Sequence, residues 1–370
     1  MSAIEQELKE LKQESLWQTL QKRNGAALLQ KELPTRFAPA QVCKPTNMQR
    51  AWELCGLFYL HTQRYYEALA IFEGLYYQML AWQESEKSWS HKGMPLVWIS
   101  DCHRNLGHPT LAKRHAMLTL IEDAIGTRGE VDPENTGIYF RLVWHYGLSD
   151  EELKRYAKQA HELHSSGNAD AAYPEWLLQQ FDNAWMREYP TQREVAHYRA
   201  NLRYVTHLRK NLGDGSGKYL ELLAEYLLSV IPGCRTYRRQ SSLSTDYDVI
   251  CSVEGDAIDF RSELGRYFVC ECKDWGDPAD FTTIAKFCRV LDSVKCRFGI
   301  LFSREGVSGS SAEKYGAREL LKVFQDRGMV IVVIDETDLD EIEKGVSLFT
   351  MLRARYEQIR LDLKPKKASH

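Results

Sequence analysis

The sequence predicts a multidomain protein in which an all-helical N-terminal region precedes an α/β domain with a mixed central sheet. Helical periodicity continues through roughly the first 210 residues. From about residue 245 to 340, short apolar strand-like runs alternate with helical stretches. Between them lies "NLGDGSGK", whose three glycines and Asp-Gly pair are typical of a linker. We therefore expect domains at residues 1–210 and 211–370.

The composition is that of an ordinary globular protein, and no transmembrane helix is expected. Hydrophobic residues make up 44% of the 370 residues, and no window approaches the ~18 uninterrupted apolar residues of a membrane-spanning helix. The N-terminal "MSAIEQELKELKQE" has no apolar signal-peptide core. The nine cysteines form no CxxC pair, which favours reduced thiols and a cytoplasmic location. The net charge of −3 does not by itself indicate a nucleic-acid partner, so the local charge distribution matters more.

The first helices carry an aromatic and glycine pattern that begins in "AWELCGLFYLHTQRYYEALAIFEGLYYQML". Large residues that face small ones let two antiparallel helices pack closely. The positions that form the pattern are Trp52, Gly56, Tyr59, Tyr65, Ala68 and Phe72. Their order and spacing resemble the tetratricopeptide repeat (TPR), with one departure at Leu75, where that family usually has a small residue. The resemblance implies a helical solenoid with a protein-binding groove or a dimerisation surface.

A weaker copy of the pattern spans residues 93–126 and places Gly107 at the turn between two helices. Its positions are Leu96, Ser100, His103, Gly107, Ala112 and Ala116. The segment "WQESEKSWSHK" separates the two units and is interpreted as an insertion. Further helices are expected in "DEELKRYAKQAHELHSSG" and "YPEWLLQQFDNAWMREYP". The alternative is an all-helical bundle whose aromatic residues only fill the core, and the scattered histidines are expected to be surface or core residues.

The C-terminal region carries acidic residues at the ends of apolar segments. "GKYLELLAEYLLSVIPG" is a predicted helix with Glu221 and Glu225 one turn apart, and "DVICSV" is a predicted strand that begins at Asp248. "YFVCECKDW" is a second strand, which we expect to pair with the first as a hairpin or meander. Alternation along a strand places Glu271 and Lys273 on one face, with the cysteines between and before them on the other.

This order of helix, Asp-led strand and Glu-x-Lys strand resembles the PD-(D/E)xK nuclease core of restriction endonucleases, most closely its Mrr-like branch. The matching positions are Glu221, Asp248, Glu271 and Lys273. The resemblance covers roughly residues 213–345 and implies a restriction-endonuclease-like α/β/α fold. It also implies Mg²⁺-dependent cleavage of DNA, with Mn²⁺ as a substitute, in a role of defence against foreign DNA.

The resemblance also implies a role for each residue. Asp248 and Glu271 would bind the metal together with the backbone carbonyl of Cys272, and Glu221 would bind the metal or its waters. Lys273 would orient the attacking water or deprotonate it, and the second role requires a lowered pKa. Two alternatives stay open from the residues alone. Asp246 shares the strand parity of Asp248, and Glu225 shares the helix face of Glu221.

A basic stretch adjoins these residues and has tyrosines interleaved. The predicted phosphate contacts are Arg199, Arg203, Arg209, Lys210, Lys218, Arg238 and Arg239. The alternative is a solvated helix face that pairs with acidic surface. The partners expected are DNA, in double-stranded form, and a protein partner or a second copy at the helical repeats, with no membrane. The competing functions are an adaptor with an inactive nuclease fold and an effector-activated nuclease that acts on RNA.

Overall fold

The structure is a computed structural model, and it divides into two compact units, residues 1–188 and 189–370. It describes residues 17–18, 21–22, 48–86, 91–131, 141–166, 177–178, 191–231, 233–241, 246–253, 265–309 and 316–361. The side chains at 48–51, 84–86, 192 and 203 lie outside this description. The described residues form thirteen helices and one five-stranded mixed sheet, which is the mixed α and α/β architecture that the sequence predicts.

The described part of the first unit is helical. Its elements are α1 (Met48–His61), α2 (Tyr65–Glu86), α3 (Gly93–Asn105), α4 (Pro109–Gly126), a π-helical turn (Arg141–His145) and α5 (Asp150–Ser165). Helix α5 begins with a capping box, in which Ser149 and Glu152 each accept from the other's backbone amide. It confirms the helix predicted in "DEELKRYAKQAHELHSSG". Only residues 177–178 of the next predicted helix are described, and they are helical.

Helices α1 and α2 form an antiparallel hairpin because small residues meet large ones across their interface. A Cβ atom added to Gly56 would lie 2.4 Å from Phe72 Cε1, and one added to Gly74 would lie 2.5 Å from Trp52 Cζ3. Each glycine therefore allows an aromatic ring to contact the opposite backbone. Helix α2 continues to Glu86, so the first residues of the predicted insertion extend this helix.

Helices α3 and α4 form a second hairpin at the positions predicted for residues 93–126. Gly107 lies in the turn with φ +74°, a conformation that favours glycine. Ser100 Oγ donates a hydrogen bond of 2.7 Å to the Ala112 carbonyl and so links the two helices. Helical hairpins are thus present, and their identity as tetratricopeptide repeats stays a prediction.

The second unit contains the sheet and the helices that cover it. Its elements are α6 (Gln192–Val195), α7 (Leu202–Arg209), α8 (Lys218–Ser229), β1 (Cys234–Ser241), β2 (Asp246–Val253), β3 (Tyr267–Lys273), α9 (Phe281–Ser293), β4 (Phe298–Ser303), α10 (Ala317–Asp326), β5 (Val330–Ile334), α11 (Glu336–Glu343) and α12 (Leu348–Arg360). Helix α7 lies on the N-terminal side of the boundary expected at residue 210. Its Tyr204 packs edge-on against Tyr226 of α8, with ring centroids 4.7 Å apart.

The strands follow the order β1-β2-β3-β4-β5. The pairs β1–β2 and β2–β3 are antiparallel, whereas β3–β4 and β4–β5 are parallel. The expected pairing of "DVICSV" with "YFVCECK" is therefore confirmed. A right-handed crossover through a helix is the usual way to join parallel neighbours, and α9 and α10 supply the two connections.

Helices cover both faces of the parallel part of the sheet. On one face, Val269 and Leu301 belong to the same apolar cluster as Phe287 and Leu291 of α9. On the opposite face, the ring of Phe298 lies 6.0 Å from that of Tyr356 in α12. Helix α8 packs against β1, β2 and β3. None of the helices in the described ranges is long and apolar enough to span a membrane.

Candidate active site

Charged side chains of the first three strands come close together near the ends of β2 and β3. The antiparallel register pairs Arg238 with Val249 and Val249 with Cys270. Asp248 lies one position beyond the last residue of β2 that pairs with β3, and the charges of Glu271 in β3 and of Arg239 in β1 both interact with it. The local fold therefore brings together two of the acidic residues that the sequence separates by more than twenty positions.

Asp248 is fixed in this row by a hydrogen bond to the next strand. Its Oδ2 accepts from the Cys272 amide at 2.7 Å, at the point where the regular β2–β3 ladder ends. Burial, and next the charge of Glu271, raise the pKa of Asp248 to about 6, although the Cys272 amide acts in the opposite direction. The carboxyl group thus sits in a place where added negative charge is costly and a cation would relieve it.

Glu271 and Lys273 form the second half of the site. Lys273 Nζ donates to Glu271 Oε1 at 2.5 Å, and both side chains are about four-fifths buried. Burial acts to lower the pKa of Lys273, but the charge and hydrogen bond of Glu271 outweigh it, so that the pKa is raised. The lowered pKa that proton abstraction would require is therefore not found. Lys273 is an ammonium group at neutral pH, suited to orienting a water or a phosphate.

Glu221 lies near Asp248, but its carboxylate is already occupied. Arg239 Nε and Nη2 donate to Glu221 at 2.5 and 3.2 Å. Arg238 Nε donates to Glu225 at 3.2 Å, so both helix glutamates are held by arginines of β1. Arg239 adopts φ +50°, which costs a residue with a side chain on the order of 1 kcal/mol. Glu221 is thus paired with Arg239, and its negative charge also adds to the raised pKa of Asp248.

The geometry favours Asp248 over Asp246 as the candidate metal ligand. Asp246 is exposed at the start of β2, whereas Asp248 is partly buried and bonded to β3. Asp248 is therefore the one placed beside Glu271. Cys272 lies between the acidic and basic residues of β3. Burial, and next the negative charge of Asp248, raise the pKa of the Cys272 thiol, which keeps it neutral.

The donor set fits a hard divalent cation that keeps part of its water shell. Asp248 and Glu271 supply carboxylate oxygens, and the Cys272 carbonyl is an oxygen donor of the same kind. Within the described ranges, no cluster of three or more His, Cys, Asp or Glu side chains is placed to hold a metal ion. Mg²⁺ is often bound through only one or two carboxylates, with water and substrate phosphates completing the shell. The site therefore fits Mg²⁺ better than a metal that needs a closed protein cage.

Arg209, one of the predicted phosphate contacts, is paired with acidic side chains in the structure. Its guanidinium is only 11% exposed and forms ion pairs with Glu336, Asp340 and Glu343 of α11. The Asp340 contact is 2.7 Å. Three of its five N–H donors point at carboxylates, so its charge is already balanced within the protein. Arg209 instead joins α7 to α11.

Some of the other residues in the basic stretch form hydrogen bonds or ion pairs within the protein, and others are exposed to solvent. Arg199 donates to the carbonyls of Ala196 and Tyr198 at 2.7 and 2.9 Å. Arg238 and Arg239 are paired with the α8 glutamates described above, although Arg239 keeps 54% of its side chain exposed. Lys210 and Lys218 are exposed, while the Arg203 side chain lies outside the described residues. Lys210 and Lys218 are therefore the best remaining candidates for the predicted phosphate contacts.

Sequence reasoning gave no role to the residues that directly follow Lys273. Trp275 is 50% exposed, and Lys273 Nζ lies 5.2 Å from the centre of its ring. Asp274 is buried, and its Oδ2 accepts from the Gly213 amide at 2.7 Å. Arg304 Nη1 lies 3.7 Å from Asp274 Oδ1. In the sequence, only the Asp-Trp pair at the end of "ECKDW" indicated that Asp274 and Trp275 belong near the site.

The chain matches no family model, no curated protein and no solved structure.

Proposed function

We propose that this chain is a metal-dependent nuclease that hydrolyses phosphodiester bonds in DNA, with a restriction-endonuclease-like domain of the Mrr-like branch in its second unit. One observation supports this proposal above all others. Asp248 and Glu271 lie close enough for the charge of Glu271 to raise the pKa of Asp248, and Lys273 is bonded to Glu271. Two carboxylates and an ammonium at one strand end form a donor set that suits a cation beside a phosphate.

Each residue has a defined task in this proposal. Asp248 is ionised above pH 6, so at neutral pH it offers an oxygen ligand together with Glu271. When bound by Asp248 and Glu271, Mg²⁺ would lower the pKa of a water ligand and would offset negative charge on the phosphate. Lys273 stays protonated and uses N–H groups not bonded to Glu271 to orient water or the phosphate. Glu221 acts by holding Arg239 beside Asp248.

The choice of DNA over RNA, and a role in defence against foreign DNA, follow from the family resemblance. The double-stranded form is the expected substrate. The helical hairpins of the first unit would bind a protein partner or a second copy of the chain, as tetratricopeptide-like repeats do. A cytoplasmic location agrees with unpaired thiols, since the described cysteines are all free.

Plasmid digestion tests the proposal directly. Supercoiled plasmid is incubated with wild type, Asp248→Ala or Lys273→Ala, in Mg²⁺, Mn²⁺ or EDTA. We expect nicking or linearisation by wild type only when metal is present, with at least a hundredfold loss in both variants. Asp246→Ala is the matched control because this carboxylate is exposed on the same strand, and it should retain activity. Equal cleavage by Asp248→Ala and wild type would contradict the assigned site.

A second function has one observation in its favour. Glu221 is held by Arg239, and within the described ranges no cluster of three acidic, His or Cys groups is arranged for a metal. This arrangement would suit an adaptor whose nuclease fold is inactive. Divalent metal that binds wild type and Lys273→Ala equally, with no cleavage of plasmid, single-stranded DNA or RNA, would favour the adaptor. Cleavage of RNA alone would favour the effector-activated ribonuclease.

A further inference from the structure

Trp275 is a large apolar side chain that the fold presents to solvent beside the candidate active site. Half of it is exposed, and its ring lies over the ammonium group of Lys273. The same ammonium is bonded to Glu271. Because both contacts share Lys273 Nζ, the indole lies within about 8 Å of the Glu271 carboxylate. An isolated exposed aromatic ring is ordinary, but this one adjoins the carboxylate pair.

The backbone next to Trp275 is anchored on both sides of the strand end. Asp274 is buried, accepts from the Gly213 amide and lies near the Arg304 guanidinium. The Arg304 amide donates to the Lys273 carbonyl at 3.3 Å, which fixes the backbone at this end of β3. The indole therefore extends from a fixed point and is held by a cation on one side. Such a ring needs little ordering before it stacks on a flat partner.

We propose that Trp275 stacks on an unpaired nucleobase next to the scissile phosphate, so that the enzyme cuts DNA at or beside a single-stranded nucleotide. This inference rests on the proposed function and refines its substrate. Bases inside a duplex already stack on one another and offer no free face to a protein ring. Base stacking on an aromatic side chain changes affinity by about 5- to 150-fold and tolerates any base identity. Flanking exposed lysines would supply the contacts to the backbone.

A double-mutant cycle, which combines a substitution in the protein with an abasic site in the DNA, tests this contact by binding alone, without any cleavage. Wild type and Trp275→Ala are titrated in EDTA with a labelled single-stranded oligonucleotide and with a set of oligonucleotides that carry one abasic site at successive positions. We expect Trp275→Ala to weaken binding of the intact strand by about 5- to 150-fold. At one abasic position, wild type should show the same loss, and the variant should show no further loss. Trp144→Ala, which removes a 73%-exposed tryptophan of the helical unit, should bind as wild type does.

Other outcomes decide between stacking and a merely structural role. Additive losses at every abasic position would overturn the proposal, because they would mean that Trp275 only supports Lys273. Equal affinity of Trp275→Ala and wild type for the intact strand would overturn it as well. Trp275→Phe should recover most of the binding, since a smaller ring still stacks. Coupling at one position without any cleavage in Mg²⁺ would support the stacking contact and count against the proposed nuclease, so the two failures are distinguishable.

Discussion

The partly buried carboxyl group of Asp248 lowers the stability of the folded protein and is also a candidate metal ligand. Its carboxyl group is removed from water and lies beside Glu271, which raises its pKa to about 6 from the ordinary 3.8. The folded protein therefore holds this proton more tightly than the unfolded chain does. Stability falls as the pH rises from about 4 to 6, and the loss remains above pH 6. A site that destabilises its own fold in this way is a common sign of function.

Replacing the carboxyl by a neutral amide removes this cost. Asp248→Asn should raise the free energy of unfolding at pH 7.5 by about 1–3 kcal/mol, because an amide cannot ionise and can still accept from Cys272. At pH 4, where the native carboxyl group is protonated, the same variant should change little. Urea unfolding at the two pH values measures both effects.

Asp246→Asn is the matched control, because this side chain is exposed on the same strand. It should produce no difference between the two pH values. A loss of stability in Asp248→Asn at pH 7.5 would mean that the ionised carboxylate is a favourable partner, and the proposed charge clash would be wrong.

At the residue level, the sequence predicted the chemical types but not their partners. Strand alternation alone placed Glu271 and Lys273 together, because that rule is local. The pairing of Arg239 with Glu221 joins a strand to a helix across 18 positions, and no periodicity encodes such a contact. The raised pKa of Lys273 could not be foreseen either, since burial lowers it and the charges of Glu271 and Asp248, with the Glu271 hydrogen bond, outweigh burial only in the folded arrangement.

Among the elements, the hairpin of α1 and α2 depends on close approach at Gly56. A Cβ there would overlap Phe72 at 2.4 Å, so one helix would have to move. Gly56→Ala should lower the free energy of unfolding by about 1–3 kcal/mol, since the overlap exceeds the gain in helix propensity. Thermal unfolding of the full chain, followed by circular dichroism, measures this loss.

A second change tests the cause of that loss. Phe72→Leu made in the Gly56→Ala background should be less damaging than Phe72→Leu alone, because the smaller side chain removes the overlap. Gly93→Ala is the comparison and should cost less, since its Cβ would come within 2.7 Å of the His91 ring alone, which is 38% exposed and can shift by loosening its contact with Asp123, while Thr119 Cγ2 lies at an ordinary 3.5 Å. Equal losses from Gly56→Ala and Gly93→Ala would contradict the packing argument.

The contact between α7 and α11 is electrostatic and centres on Arg209. Arg209→Ala would leave three carboxylates of one short helix close together without their cation. We expect a loss of about 1–3 kcal/mol, smaller than for a fully buried pair because the carboxylates are partly exposed. Urea unfolding at low and high salt measures it, and salt should reduce the loss.

Lys210→Ala separates this structural role from nucleic-acid binding. The neighbouring lysine is exposed, so its removal should leave stability unchanged and weaken DNA binding at low salt. Weakened DNA binding by Arg209→Ala without any loss of stability would restore the phosphate contact that the sequence suggested.

For the whole molecule, the sequence predicted the division into helical and α/β parts and the mixed sheet. These depend on periodicity and on the order of strands, which are visible along the chain. The expected boundary at residue 210 lies between α7 and α8, although these two helices pack against each other. Glycine-rich "NLGDGSGK" is typical of a linker in sequence, whereas in the structure the Gly213 amide is bonded to buried Asp274. A turn anchored by a distant carboxylate looks the same in sequence as a free one.

The central claim is that Asp248 and Glu271 share one divalent cation. The most direct measurement is a Mn²⁺ titration followed by electron paramagnetic resonance, with wild type, Asp248→Asn, Glu271→Gln and the control Asp246→Asn. We predict one Mn²⁺ per chain for wild type and the control at pH 7.5, and affinity lowered at least about tenfold in each of the other two variants. Unchanged Mn²⁺ binding in both Asp248→Asn and Glu271→Gln would contradict the claim.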